Sequence, residues 1–280
     1  MSTKIMTSEE TDSLSGHEIV SRVEWLVARR DLLKREKELA RLRDQLSAQR
    51  RALPWVKIDK GYVFNALGGE LTLADLFNGR SQLIIYHFMF HPDWKEECPS
   101  CSFVSDHLDG ARAHLAARDV TLTMVSRALL AKIEAFKKRM GWHFKWVSSF
   151  GSDFNFDYYV SFAPEQKVGG KVDYNYTMQE FPSDEGPGLS VFYKDPISSE
   201  IFHTYSTFAR GLDPLVGTYT LLDLVPKGRD EDDLAFSMQW VRHHDRYGTN
   251  LFLDETLPCW PSTASPESST CACAGEEVHT

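Results

Sequence analysis

Two cysteines three positions apart, Cys98 and Cys101, are the side chains of this sequence best suited to chemistry. They follow the apolar run Leu83–Phe90, which is typical of a central strand, and they precede a segment with helical spacing at residues 102–118. In the first turn of that helix, unpaired backbone N–H groups and the helix dipole favour negative charge and lower the pKa of a thiol. Pro99 has no N–H and suits this turn. We therefore expect Cys98 to be the nucleophilic thiolate and Cys101 to resolve the mixed disulfide.

The same spacing is compatible with two other uses of the cysteines. Two cysteines three apart can form half of a zinc site, or they can pack without doing chemistry. The other zinc ligands would have to come from His87, His91, Cys259, Cys271 and Cys273. Cys271 and Cys273 are separated by a single residue, which suits structural zinc poorly. We favour redox chemistry, for which no cofactor and no metal is expected.

A few other residues are weaker candidates for a functional role. His91 and Trp94 precede the cysteine pair on the same loop, where they would shape the substrate rim, tune the nucleophile or simply pack. The run His243-His244-Asp245 suggests a metal ligand or a base, but the sequence identifies no third group to complete such a site. Cys271 and Cys273 could carry electrons to the cysteine pair on a flexible arm.

Composition and charge narrow the class of protein. The 280 residues are 42% hydrophobic, 25% charged and 12% aromatic, as expected of a globular protein with a well-filled core. The longest apolar runs are too short to cross a bilayer, and the polar N-terminus lacks the pattern of a secretory signal. We therefore expect a cytoplasmic protein with no membrane partner. A formal net charge of −9 disfavours nucleic acid as a partner, and five unevenly spread cysteines do not predict a disulfide scaffold.

Strand and helix signals alternate after Pro54. The predicted strands are Val56–Phe64, Leu83–Phe90, Val120–Ser126, Phe144–Ser149, Leu189–Tyr193 and Ile201–Tyr205. The predicted helices are Leu71–Phe77, residues 102–118, Leu129–Met140 and Asp213–Leu224. This order predicts a mostly parallel sheet. The chain divides into a disordered leader (1–17), an N-terminal helix (18–53), an α/β domain (54–225) with an insertion at 151–187, an extension (226–257) and a disordered tail (258–280).

The segment from Glu18 to Arg51 contains no Gly or Pro and is predicted to form one long helix. Apolar residues recur in it every seven positions, at Trp25, Leu32, Leu39, Leu46 and Leu53. The companion positions Ala28, Arg35 and Gln49 fit a coiled-coil seam poorly. We expect the apolar stripe to lie on its own domain or on a second subunit, as in a homodimer. Ten Lys/Arg against six Asp/Glu make the segment basic, which indicates a solvated face or a docking face for an acidic partner.

Several longer segments together resemble one known family. In chain order they are RALPWVKIDKGYVF, LADLFNGRSQLIIYHFMF, CPSCSFVSDHLDG, HLAARDVTLTMVSRA, RMGWHFKWVSSFGSDFN, GLSVFYKD, FHTYSTFARGLD and LDLVPKGRDE. From about Val20 to Tyr247 the sequence is similar to a bacterial family of thioredoxin-like proteins, usually labelled a domain of unknown function or predicted dithiol-disulfide oxidoreductase. The resemblance implies a thioredoxin-like fold related to the peroxiredoxin branch: an α/β fold whose central mixed sheet is flanked by helices.

The residues around the cysteine pair depart from the better-known relatives. Thioredoxins carry Trp-Cys-Gly-Pro-Cys, whereas here Trp94 precedes Cys98 by four residues and the inner pair is Pro-Ser. Peroxiredoxins carry Pro-x-x-x-Thr/Ser-x-x-Cys, and counting back from Cys98 places Lys95 and His91 at the hydroxyl and proline positions. Pro92 is one residue out of register. A thiol peroxidase therefore remains an alternative, but a weaker one.

The resemblance implies two further supporting residues. Arg127, just after a predicted strand, would supply a positive charge near the thiolate, or it is simply a surface residue. The thioredoxin fold usually places a cis-proline opposite the cysteine pair, immediately before an antiparallel strand. Pro187 precedes such a strand and is the candidate, with Pro182 as the alternative.

These observations favour a thiol–disulfide oxidoreductase that uses the Cys98–Cys101 dithiol. Its expected partners are a protein or small-molecule disulfide or thiol, with electrons from a reductant such as a thioredoxin or glutathione system. The alternative of another class is a non-catalytic binding module, in which the long basic helix docks a partner and the cysteines are structural or bind zinc.

Overall fold

The computed structural model describes residues 13–14 and 16–247, which form two units that meet in sequence between Pro54 and Trp55. The first unit contains a short antiparallel pair of strands, β1 (Ser13–Leu14) and β2 (His17–Glu18), and one long helix, α1 (Arg22–Arg51). Of the predicted disordered leader (1–17), residues 1–12 and 15 lie outside the described residues, and the predicted disordered tail (258–280) lies outside them entirely.

Helix α1 begins four residues later than predicted because Ser21 caps it. The Ser21 hydroxyl accepts the Glu24 backbone N–H, and the Glu24 carboxylate accepts the Ser21 N–H at 2.9 Å, which satisfies two N–H groups that a helix start leaves unpaired. No side chain of α1 is buried, and Leu32 and Leu39 remain 55% and 48% exposed. The covering surface expected for the apolar stripe therefore stays a prediction.

The second unit is built on an eight-stranded mixed sheet. Its strands, in chain order, are β3 (Val56–Lys57), β4 (Val63–Ala66), β5 (Gly69–Thr72), β6 (Gln82–His87), β7 (Val120–Ser126), β8 (Lys145–Ser148), β11 (Gly188–Lys194) and β12 (Ile201–Phe208). A separate hairpin consists of β9 (Lys171–Tyr174) and β10 (Thr177–Glu180). The helices are α2 (Leu73–Leu76), α3 (Pro99–Asp109), α4 (Arg112–Ala116), α5 (Leu130–Arg139), α6 (Phe154–Asp157) and α7 (Gly217–Leu222).

The order of strands in the sheet is β3-β12-β11-β6-β7-β8-β4-β5. Strands β6, β7 and β8 run parallel, while β11 lies antiparallel to both β6 and β12. The unit β6-α3-β7 followed by β11-β12-α7 gives the central order β12-β11-β6-β7. That is the thioredoxin-like arrangement, and it confirms the predicted α/β fold with a central mixed sheet flanked by helices. The prediction of a mostly parallel sheet was wrong, because two of the seven pairs of neighbouring strands in this sheet are parallel and five are antiparallel.

The sheet separates two hydrophobic cores, because alternate residues of a strand point to opposite faces. One face of β6 contributes Tyr86 to a core that contains Cys101, Phe103 and Trp146; we call it the cysteine-side core. The preceding residue, Ile85, points to the other face of the sheet and belongs to the core there, which we call the opposite core. The residues that centre the opposite core are Phe64, Leu83, Val147, Phe154 and Phe192.

Several predicted boundaries were wrong, for local reasons. The predicted strand Val56–Phe64 is divided into two strands: β3 pairs with β12, and β4 pairs with β8. The predicted helix 102–118 begins at Pro99 and breaks after Asp109, whose carboxylate accepts N–H groups from Arg112 and Phe144. The predicted insertion 151–187 contains α6 and the β9–β10 hairpin.

The predicted helix Asp213–Leu224 is instead a 3-10 segment, Ala209–Leu215, followed by the short α7. Pro214 lies inside the 3-10 segment and has no N–H to donate to a longer helix. In the described part of the chain no helix is long and apolar enough to cross a membrane.

The opposite core offers a test of what holds the sheet together. Phe154 is fully buried, with its ring centroid 4.9 Å from that of Phe64 and 4.6 Å from that of Tyr158. We expect Phe154→Ala to lower the free energy of unfolding by about 3–5 kcal/mol, because a large buried ring leaves a cavity. Urea denaturation measures it. The control Phe236→Ala, at a ring 63% exposed, should change it by less than about 0.5 kcal/mol. Equal losses in both variants would contradict this account of the core.

Candidate functional site

The cysteine pair lies at the start of α3, in the loop that leaves the central strand β6. Cys98 is the N-cap residue, with extended backbone angles, and Pro99 occupies the first helical position. The Cys98 Sγ accepts the backbone N–H of Cys101 at 3.4 Å, as a capping side chain does. The Ser102 hydroxyl donates to the Cys98 carbonyl at 2.9 Å and fixes the turn. The sulfur of Cys98 therefore meets the positive end of the helix.

The two thiols have different surroundings. Cys98 is half-buried, whereas Cys101 is buried and only 1% exposed. Hydrogen bonding from the Cys101 thiol lowers the pKa of Cys98, as do the backbone N–H groups of Cys101 and Ser100. Burial raises the pKa of Cys101 well above its ordinary value, and the neighbouring Cys98 adds to the effect. Negative charge is therefore favoured on the outer sulfur and disfavoured on the inner one.

Both thiols line a cavity of about 900 Å3. One wall comes from the sheet and the cysteine loop, with Tyr86, Met89 and Pro187, and another from the 3-10 segment before α7. The third wall is the segment 227–238, part of the extension that follows the predicted domain. This segment has no periodic pattern of apolar residues, only a run of charged ones. Its role as a cavity wall was therefore missed.

Paired charges hold the third wall in position. The Arg229 guanidinium donates to the carboxylates of Asp223 and Asp213, at 2.8 and 3.1 Å, and lies 3.9 Å from the centre of the Tyr219 ring. The Glu231 carboxylate accepts the Tyr219 hydroxyl at 2.8 Å and the Trp240 indole N–H at 2.6 Å. These contacts attach the segment to α7, so the chain's own extension forms one side of the cavity.

The run His243-His244-Asp245 lies beside the loop that carries Cys98. Each of its residues, with the following Arg246, faces a charged partner: His243 with Glu97 at 3.6 Å, His244 with Asp106 at 2.7 Å, Asp245 with Arg139 at 2.8 Å, and Arg246 with Glu96 at 3.0 Å. Glu96 and Glu97 immediately precede Cys98. These contacts connect the extension to the cysteine loop and to α3, and they account for the run without a metal or a catalytic base. No group of three or more His, Cys, Asp or Glu side chains suited to a metal ion occurs among residues 16–247.

Pro187 lines the same cavity as the cysteines, but its peptide bond is not cis. Every peptide bond in the described residues is trans, so the cis assignment was wrong for Pro187 and for the alternative Pro182. The chain passes here through two glycines instead. A Cβ on Gly188 would lie 2.8 Å from the Phe208 ring, and one on Gly186 would lie 2.9 Å from the Tyr174 ring. The absence of side chains at these glycines allows the close approach.

Arg127 and Trp94, the two other side chains predicted to support the cysteine pair, lie in different parts of the structure: Arg127 is paired with a carboxylate, and Trp94 packs against the cysteine-side core. Arg127 donates to Glu185 at 2.9 Å, and its guanidinium lies over the Phe156 ring, 4.4 Å from its centre. The groups that lower the pKa of Cys98 are its own neighbours in α3. Trp94 packs against the cysteine-side core, and its carbonyl accepts the Lys132 ammonium at 3.1 Å. The catalytic roles predicted for these side chains stay predictions.

Comparison with known proteins assigns the chain to a family. Residues 14–247 match the model of DUF899, a family described as bacterial protein of unknown function. The chain belongs to this family. This confirms the resemblance as far as a bacterial family of unknown function is concerned. No curated protein matches the sequence.

The chain is also distantly similar to solved structures of peroxiredoxins. A Cys-to-Ser mutant of Xylella fastidiosa PrxQ is 11% identical, with 58% of this chain and 89% of that chain covered and a TM-score of 0.36. Mycobacterium tuberculosis peroxidoxin BcpB is 10% identical, over 59% and 95%, with a TM-score of 0.36. A Xanthomonas campestris peroxiredoxin Q is 14% identical, over 60% and 96%, with a TM-score of 0.37. Similarity at this level transfers no activity.

Glu185, the partner of Arg127, offers a test by pH. Burial raises the pKa of Glu185 to about 7, although the Ser161 hydroxyl and Arg127 favour its charged form. The unfolded chain releases this proton near pH 4.5, so between pH 4.5 and 7 the folded state binds more protons and loses stability as the pH rises. We expect the difference in unfolding free energy between Glu185→Gln and the wild type to change by on the order of 2 kcal/mol over this range, in favour of the variant at pH 7.

Urea denaturation of both proteins at pH 4.5, 5.5, 6.5 and 7.5 measures that difference. The comparison with the wild type cancels the titration of the other carboxylates. A difference that stays constant across the four pH values would show that Glu185 is charged throughout.

Proposed function

We propose that this protein is a thiol–disulfide oxidoreductase in which Cys98 attacks a substrate disulfide and Cys101 resolves the product. One observation carries the proposal: the Cys98 Sγ opens onto a cavity while it accepts the Cys101 N–H at the start of α3. The opposite shifts of the two pKa values support the same assignment, because the thiolate is the reactive form of a cysteine.

The reaction consists of two exchanges. The Cys98 thiolate attacks one sulfur of a disulfide R–S–S–R, a mixed disulfide forms, and one RS⁻ leaves and takes up a proton. The Cys101 thiol then loses its proton and attacks the Cys98 Sγ, and the second RS⁻ leaves. The substrate gains two electrons and the protein ends with a Cys98–Cys101 disulfide. A reductant would return the two electrons: either one dithiol, as in a thioredoxin system, or two molecules of a monothiol such as glutathione.

The peroxidase alternative receives less support from the residues near Cys98. A peroxiredoxin needs a hydroxyl three residues before the nucleophile, and this chain has Lys95 there. It also needs a cation beside the thiolate, and Arg127 is paired with Glu185. The zinc alternative would have to draw on cysteines outside the described residues. We therefore favour disulfide exchange.

A first test measures how easily the nucleophile loses its proton. Iodoacetamide alkylates thiolates, so its rate with the reduced protein follows the ionisation of Cys98. We expect the rate at Cys98 to reach half its maximum at a pH below the ordinary cysteine pKa of about 8.5. Peptide mapping by mass spectrometry identifies the alkylated residue. Faster reaction at Cys101 than at Cys98 would contradict the assignment.

A second test removes each sulfur in turn. We expect Cys98→Ser to abolish reduction of insulin or of dithionitrobenzoate by the protein in the presence of dithiothreitol, beyond the uncatalysed rate. Cys101→Ser should accumulate mixed disulfides at Cys98, visible as a mass increase in the intact protein, because no second thiol resolves them.

The matched control is Cys259→Ser, which changes a cysteine outside the Cys98–Cys101 pair and should keep full turnover. Unchanged turnover in Cys98→Ser would rule the proposed reaction out. Loss of one zinc per chain in both Cys98→Ser and Cys259→Ser, by metal analysis, would support the structural zinc site instead.

A further inference from the structure

Tyr86 is a buried residue that the proposed reaction has not yet used. It lies on β6, is fully buried, and lines the cavity together with Cys98 and Cys101. Its hydroxyl makes no hydrogen bond of normal geometry, and no other tyrosine among the described residues has a fully buried hydroxyl in that state. A buried hydroxyl without a partner lowers the stability of the fold, because it has lost its hydrogen bonds to water. A phenylalanine would fill the same space without that cost.

The inner thiol belongs to the same buried core as Tyr86 and lines the same cavity. The Cys101 Sγ accepts the Met89 backbone N–H at 3.5 Å. The pKa shifts of the two side chains agree with this placement: the tyrosine hydroxyl favours the anionic form of Cys101, and the thiol favours the protonated form of Tyr86.

The other tyrosine that lines the cavity has a partner, because the Tyr219 hydroxyl donates to Glu231 at 2.8 Å. In the opposite core the Tyr174 hydroxyl donates to the Pro187 carbonyl at 2.7 Å. Of these three tyrosines, only Tyr86 has a hydroxyl without a hydrogen-bond partner, and it shares its cavity with the dithiol. This contrast distinguishes Tyr86 from a tyrosine that merely completes the packing.

We propose that Tyr86 is a positioning residue for the resolving step, in which its hydroxyl donates a hydrogen bond to the Cys101 thiolate. The inference rests on the proposed function, because it concerns the second exchange of that reaction. Burial opposes ionisation of Cys101, and a donated hydrogen bond offsets part of that cost. In the reverse reaction the same hydrogen bond stabilises Cys101 as the leaving group.

The atoms and electrons of this step balance without a further reactant. The Cys101 thiol gives its proton to solvent in the cavity, and its thiolate forms a bond to Cys98 Sγ as the bond from Cys98 Sγ to the substrate sulfur breaks. The substrate thiolate takes both electrons of the broken bond and then a proton. Tyr86 keeps its own proton throughout, which its raised pKa favours because burial disfavours the phenolate.

Dithionitrobenzoate separates the two exchanges in one experiment. Attack by Cys98 releases a first equivalent of coloured thionitrobenzoate, and resolution by Cys101 releases a second. We expect Tyr86→Phe, in the full-length chain, to leave the first phase unchanged and to slow the second about ten- to hundredfold at pH 7, which is the size of one hydrogen bond to a charged group. The pH at which the second phase reaches half its maximal rate should rise by about one to two units.

The control Tyr158→Phe removes a tyrosine hydroxyl on the opposite side of the sheet and should leave both phases unchanged. Urea denaturation of both variants checks folding, and Tyr86→Phe should be at least as stable as the wild type. Equal slowing of both phases, or an unchanged second phase, overturns the role of Tyr86 but leaves the proposed function intact. A wild type that releases no second equivalent overturns both.

Discussion

The hydrogen bond from the Cys101 backbone N–H to the Cys98 Sγ connects the chemistry of this chain to its fold. It forms because Cys98 is the N-cap of α3, where a side-chain acceptor satisfies an N–H that the helix leaves unpaired. Such a cap usually carries oxygen, and here a sulfur takes its place. The bond thus completes the helix and stabilises a thiolate at the same time. Its geometry depends on where β6 ends and on what holds the loop between β6 and α3.

The central position of β6 determines which side chains reach the dithiol. Tyr86 points to the cysteine-side core, and the next residue, His87, points to the opposite core. There the His87 ring is hydrogen-bonded to the Ser190 hydroxyl, at 2.8 Å. The Ser206 hydroxyl lies between Ser190 and the His203 ring and is 2.8 Å from each. This buried chain of hydrogen bonds joins β6, β11 and β12. A shift of β6 by one residue would expose its polar groups to the wrong core, so the register that aims Tyr86 at the cavity is well specified.

The sequence predicted the parts of the fold that depend on local signals. Strand β7 was predicted with its observed ends, and the cysteine pair was expected at the start of a helix, where the structure has it. The extension over the cavity could not be predicted in this way, because pairs such as Arg139–Asp245 and Asp106–His244 join residues more than 100 positions apart. Charges at such separations have no spacing rule. The trans peptide bond at Pro187 could not be predicted either, since contacts with side chains elsewhere in the fold determine that turn.

The difference in depth between the two sulfurs gives the proposed reaction its order. A disulfide that enters the cavity meets the half-buried Cys98, whereas Cys101 lies behind it in the core. The burial that shields Cys101 also raises its pKa, so the inner thiol remains a poor competitor for the substrate. Once Cys98 is part of a mixed disulfide it carries no charge, and its contribution to the raised pKa of Cys101 disappears. Only the cost of burial is then left, and a neutral donor beside the sulfur is the kind of group that reduces this cost without burying a second charge.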